Sequence, residues 1–201
     1  MRCFVDENTY IDLLPKELDF GYYKIAILCD KDTDDYNFEY YPRSRELHIN
    51  SSFNVCKAVN SIFLGTISNL ISRIKIPNLD RDIAYNISAE FWTIIRDNPV
   101  LLDFVIPDTI RMYGIDYSVS TLGILSNPSF IGEIDYNLFE INLLKYEDSA
   151  QQYLTLIHEI AHAIEHHLSL ELGDLTETFA CGFAYAIVQL FKFNNMNWLY
   201  L

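Results

Sequence analysis

Leu156-Ile157-His158-Glu159-Ile160-Ala161-His162-Ala163-Ile164 is the stretch on which the fold turns. On an α-helix successive residues rotate by about 100°, so His158 and His162 stand about 40° apart on one face and roughly 6 Å apart along the axis. At that spacing two imidazoles grip one metal ion. Glu159 falls on the neighbouring face, where it can take a proton from a metal-held water without filling a coordination position. The apolar residues around the motif predict a buried helix, and two rings with a carboxylate are costly there unless something satisfies them. HExxH alone recurs by chance, and a helix that merely carries two histidines is the bland alternative.

A catalytic zinc takes three protein ligands and leaves one position for water. His166 continues the i+4 series but lies about 12 Å from His158 on a straight helix, too far to share an ion. His166 and His167 suit the helix exit, where positive charge is favoured. Three residues after the second histidine the metzincin pattern needs glycine, and Glu165 stands there instead. A carboxylate from the next helix remains. Glu177 follows a short loop containing Gly173, so an antiparallel return carries it over the histidines, with Ala180, Cys181 and Ala184 as small residues on its face. Asp174 and Glu177 also have capping-box spacing, and Asp174 and Glu171 are the alternative ligands.

Working outward, Asp148 or Ser149 caps the motif helix, which runs to about Leu168, and a last helix is predicted from about Leu175 to Phe193. Upstream, Phe130 to Tyr136 and Phe139 to Leu143 read as paired strands, and Ile115 to Leu125 as extended. The first half shows the same order. Tyr22 to Cys29, Asn37 to Tyr41 and Arg45 to Ile49 are predicted strands, the run Asp30 to Asp35 a solvated turn. Helices follow over about Asn54 to Ile76, stopped by Pro77, and Asp82 to Arg96. A short apolar connection, Val100 to Ile106, joins the halves.

Sliding one half over the other at a shift of 93 (114 − 21) matches Gly21 with Gly114, Phe63 with Leu156, Ile67 with Ile160 and Ile71 with Ile164. Near the end the shift becomes 96, pairing Phe91 with Ile187 and Ile95 with Phe191. The expectation is an α+β fold of two similar halves, a degenerate duplication, each a small antiparallel sheet followed by two packed helices. Residues 1–106 form the N-terminal half and 107–201 the half with the motif. At this shift Gly65, Thr66 and Asn69 face His158, Glu159 and His162, so the first half is metal-free. His48 reads as a sheet histidine.

Of 201 residues, 50% are hydrophobic, enough for a real core. The net charge of −14 repels phosphate backbones and anionic membranes, so neither nucleic acid nor membrane is an expected partner. Cys3, Cys29, Cys56 and Cys181 form no CxxC pair and read as reduced thiols. The acidic beginning lacks a signal-peptide core and no run is long enough to span a membrane. A soluble cytoplasmic protein is expected.

The motif helix, the helix bearing Glu177 with Phe179-Ala180, the run Gly132-Glu133-Ile134-Asp135-Tyr136 and the strand Phe139-Glu140-Ile141 together resemble the small HExxH metallopeptidase-like proteins of phages and prophages. These are similar to the ImmA/IrrE-type metallo-endopeptidases and, more broadly, to gluzincin-like zinc proteases. The resemblance covers about residues 112 to 195. It implies a zincin-like second half, Zn2+ held by His158, His162 and Glu177, Glu159 as general base, and a protein or peptide substrate. If the chain is phage-encoded, the host bacterial cytoplasm is its place. No helix-turn-helix partner domain is visible, and neither substrate nor oligomeric state is implied. Tyr136, Tyr153 and Tyr185 are candidate oxyanion donors, and the strand Phe139 to Leu143 a candidate edge for an extended substrate. The rival expectation is a non-catalytic phage-type regulator that binds a protein partner and keeps zinc for structure, which would require a fourth protein ligand.

Overall fold

Tight turns set where the strands of the second half begin and end. Tyr113 and Gly114 both adopt positive φ, 55° and 78°, the pair of left-handed residues that closes a two-residue hairpin. Through them β5 (Thr109–Met112) folds back on β6 (Ile115–Leu122), with Met112 opposite Ile115. Asp135 accepts from the backbone N–H groups of Asn137 and Leu138 at 2.8 and 3.0 Å, an Asx turn that returns β7 (Gly132–Asp135) into β8 (Glu140–Leu144). β8 then lies parallel to β6, and the sheet runs β5-β6-β8-β7.

The first half repeats this plan with β1 (Glu17–Asp19), β2 (Lys24–Asp30), β3 (Phe38–Tyr41) and β4 (Glu46–Asn50), in the order β1-β2-β4-β3. The computed structural model describes residues 14–20, 24–30, 38–41, 43–50, 55–73, 76, 79–146, 148–196 and 199. The acidic turn after Asp30, the stop at Pro77 and Cys3 lie outside them. The fold is α+β, built from two similar halves, but each sheet is mixed where an antiparallel one was expected. The last strand of each half pairs antiparallel with its predecessor and inserts beside the second strand, which it meets in parallel.

Among the described residues four α-helices follow from apolar-striped segments: α1 (Val55–Arg73), α2 (Arg81–Asp97), α3 (Ser149–His167) and α4 (Thr176–Phe193). Asp80 caps α2 by accepting from Ile83 N at 2.9 Å, and Asp148 caps α3 by accepting from Ala150 N at 2.8 Å. Pro99–Asp103 forms a 3-10 turn within the apolar connection. None of the described helices is long and apolar enough to cross a membrane.

Packing is reciprocal between the halves. α1 lies on β3 and β4, α3 on β7 and β8, while α2 reaches β5 and α4 reaches β1. One core runs through both halves, with the Phe91 ring 5.7 Å from Phe63 and edge-on to Phe183 at 5.0 Å; each such ring or branched side chain contributes about 1.5–3 kcal/mol on burial. Two asparagines just past the helix ends fasten the arrangement. Asn98 donates to the carbonyls of Ile94 and Arg111 and accepts from Arg111 N–H. Asn194 does the same with Leu190 and Asp19. The last helix of each half is thereby tied to the first strand of the other.

The correspondence between halves differs from the shift of 93 by one residue. β3 with β4, and α1 against α3, follow an offset of 94 (149 − 55), with matching strand register and equal helix lengths. His158, Glu159 and His162 therefore face Leu64, Gly65 and Ser68, not Gly65, Thr66 and Asn69. A helical apolar stripe tolerates a one-residue slip in alignment, but the sheet register does not. Packing at this offset is complementary. A Cβ on Gly65 would stand 3.0 Å from the Phe38 ring, and one on Gly132 would stand 2.5 Å from the Glu159 carboxylate. The first half sets a large strand residue against a helix glycine; the second sets a strand glycine against the helix glutamate.

Candidate metal centre

α3 carries both histidines, His162 lining a shallow cleft, and the chain's return to α4 supplies the acid. α3 closes with Ser169 at φ 51°, Ser169 N–H donating to His166 O and Leu170 N–H to Glu165 O, the paired bonds of a Schellman ending. A 3-10 turn over Gly173–Leu175, with Gly173 at φ 56°, then starts α4. α3 and α4 pack together, so Glu177 comes back over the histidines. Leu175 is the N-cap of α4 and makes no side-chain cap bond; Glu177 is spent on the imidazoles rather than on a capping box.

The donors converge. His158 Nε2 and His162 Nε2 are 2.9 Å apart, and the two Glu177 oxygens each lie 3.4 Å from one of them. Tetrahedral zinc with bonds of about 2.0–2.1 Å separates its ligand atoms by roughly 3.4 Å, so these residues fit such an ion. Burial and the neighbouring His162 push the His158 pKa down, which holds its ring neutral, the form that binds metal. Cys181 Sγ sits 3.7 Å from His158 Nδ1, and His158, Glu177 and Cys181 also form a compact donor group. The two sets share His158 and Glu177. The pair of Nε2 atoms makes the better cage, because Cys181 contacts the ring nitrogen that an ion on Nε2 leaves free.

Glu159 is 4% exposed, packed under the Gly132 backbone. Burial first, then the charges of Glu177 and Glu133, push its carboxyl up to about 8. Asp174 lies in the 3-10 turn and Glu171 lines the cleft without joining the donor group. The cleft, about 540 Å³, is lined by residues that include Ile134, Tyr136, His162, Glu165 and His166.

Among the three tyrosines, Tyr153 donates its hydroxyl to Leu101 O inside the core, and Tyr185 is half exposed on α4. Tyr136 remains. Its ring stacks on His166 at 4.0 Å, and burial with the nearby Glu159 charge raises its pKa, so the phenol keeps its proton. His167 stacks likewise on Tyr113 at 3.6 Å. His48 lies in β4, edge-on to the Tyr41 ring at 4.7 Å.

The edge next to the cleft is β7, not the Phe139 to Leu143 segment, because β8 is sandwiched between β6 and β7. Leu144 N–H donates to Ile131 O, and antiparallel pairing alternates. Gly132 and Ile134 thus turn their backbone N–H and C=O groups to the free side. Sequence reading missed two outer contacts. Glu165, 9% exposed, accepts from Thr176 Oγ1 at 2.6 Å and places its other oxygen 3.7 Å from His162 Nδ1; Cys181 backs His158. Glu165 three residues after His162 was the available signal, since a buried acid on an apolar helix needs a partner.

No protein-family model matches the chain, and no match is found among curated proteins or solved structures.

Proposed function

We propose that the chain is a zincin-like, zinc-dependent peptidase whose centre is His158, His162 and Glu177. The observation that carries this reading is the meeting of two Nε2 atoms and a carboxylate at 2.9–3.4 Å, with a buried acid beside them. A divalent cation there would act as a Lewis acid and lower the pKa of a water towards about 7. The Glu159 carboxyl, ionised by the same positive charge, would then accept the water's proton and later deliver it to the leaving amine. The Tyr136 hydroxyl donates to the carbonyl oxygen as negative charge develops there. An extended peptide pairs with the outward N–H and C=O groups of Gly132 and Ile134, adding a strand to β7. The substrate is a protein or peptide; a chain of net charge −14 does not suit nucleic acid. Free thiols at Cys29 and Cys181 agree with a reducing cytoplasm.

Metal analysis of wild type beside His162→Ala, with peptide cleavage by wild type and Glu159→Gln, tests the reading. One zinc lost in His162→Ala and cleavage lost in Glu159→Gln, with zinc kept, is the expected result. A fully active Glu159→Gln overturns it. Cys181 supports a second reading, a non-catalytic protein-binding regulator whose zinc is structural with Cys181 as fourth ligand. That reading expects Cys181→Ser to lose zinc, whereas the peptidase reading expects it to keep the ion.

A further inference from the structure

Thr176 immediately precedes Glu177, and its hydroxyl is bonded to the buried carboxylate of Glu165, whose second oxygen faces His162. One side chain on α3 therefore touches both arms of the centre: the ring of a ligand on its own helix and the first turn of the helix that brings the acid. From this geometry we infer that Glu165 and Thr176 form a latch that sets the spacing of the metal ligands. Glu165 is a positioning residue. The inference rests on the metal-centre reading above.

The first half supplies an internal comparison. At the offset of 94, Glu165 corresponds to Ile71, an apolar residue 1% exposed. The same helix face is filled by hydrocarbon where the ligand positions are Leu64 and Ser68. A buried carboxylate costs desolvation, so a helix at this position packs well without one. The acid accompanies the histidines. Its two contacts account for it: the Thr176 hydroxyl donates to one oxygen at 2.6 Å, and the other oxygen lies 3.7 Å from His162 Nδ1, within ion-pair reach of the ring nitrogen that Nε2 leaves free.

Two alternatives would produce the same bond without the function, a plain tie between helices or a tolerated polar pair. Zinc affinity separates them from the latch. Dissociation constants are measured by competition with a chromogenic chelator for wild type, Glu165→Gln, Thr176→Val and Thr176→Ser, with urea unfolding of each metal-free protein alongside. The latch predicts roughly 10–100-fold weaker zinc binding in Glu165→Gln, a loss in the same direction in Thr176→Val, and recovery to within about threefold of wild type in Thr176→Ser. Should Glu165→Gln fail to fold, the Val and Ser variants of Thr176 decide the matter. Zinc affinity within threefold of wild type in Thr176→Val overturns the latch, as does a wild type that binds no zinc. Latch-dependent zinc binding without any peptide cleavage sinks the peptidase reading alone. Latch-independent zinc binding with Glu159-dependent cleavage sinks the latch alone.

Discussion

Replacing Gly132 by alanine probes the contact between strand β7 and the proposed base. A Cβ there would stand 2.5 Å from Glu159 Oε1 and 2.6 Å from Thr155 Cγ2, against an unstrained separation of about 3.5–4.0 Å. The Glu159 carboxylate ends a flexible side chain and can swing away. Thr155 cannot: it is β-branched, 1% exposed, and its hydroxyl donates to Gln151 O at 3.0 Å. β7 must therefore ride up by about 1 Å. Overpacking of this size costs about 1–3 kcal/mol, offset by about 0.4–1 kcal/mol from the stiffer unfolded chain, leaving a net loss centred on about 1.3 kcal/mol and no larger than about 2.6 kcal/mol. Equilibrium urea unfolding of Gly132→Ala, Thr155→Ser and the double variant reads this directly. Removing the Thr155 methyl relieves one clash, so the double variant should lose about 1 kcal/mol less than the two single losses combined. Peptide cleavage should stay at least about tenfold depressed in both Gly132→Ala proteins, because Glu159 is still displaced. A Gly132→Ala protein as stable as wild type, with strictly additive behaviour, would refute the packing described for β7 on α3.

The Glu159 carboxyl is raised to about 8, so the folded chain holds a proton that the unfolded chain releases near pH 4.5. The Glu159 contribution to the stability of the metal-free protein should fall as pH rises from about 4.5 to about 8, so Glu159→Gln should be the more stable protein by a few kcal/mol at pH 8 but not at pH 5. Equal differences at the two pH values in chelator-containing buffer would show that Glu159 is solvated. Asn98→Ala removes three hydrogen bonds of a residue only 7% exposed and should cost about 2–4 kcal/mol in urea unfolding; a loss under about 0.5 kcal/mol would mean that water replaces the clasp. Ser169→Gly, at φ 51°, should raise stability by about 1 kcal/mol and leave zinc affinity unchanged.

The helices and the meeting of His158, His162 and Glu177 were legible because both are written at short range. Apolar residues at three and four spacing, Asp80 and Asp148 before them and Gly173 between the last two helices mark elements whose bounds fall within a few residues of expectation. Glu177 was readable for the same reason, since a short loop forces an antiparallel return. The outer strands were not. β1 and β5 have three and four residues, too few to display alternation, and the mixed pairing depends on β4 and β8 entering the middle of each sheet, a choice made by contacts distant in sequence. The contact of Glu165 with Thr176 and that of Cys181 with His158 also span elements, and no spacing rule reports them. The alignment of the halves went astray by one residue because burial, not identity, links them, and Gly65 against Phe38 corrects it only once strand and helix are seen together.

The exchanged fastenings at Asn98 and Asn194 make the two halves behave as covalently tethered protomers of a pseudo-symmetric dimer, each contributing its final helix to its neighbour's surface. Two identical protomers would have to carry every residue in duplicate, since a symmetric contact repeats each choice. Tethering lifts that requirement: one protomer can hold an acid opposite a bare strand position while its sister fills the same space with a phenyl ring. A site confined to one half is thus an option that the linkage opens, with the other half bearing its share of the scaffold around it.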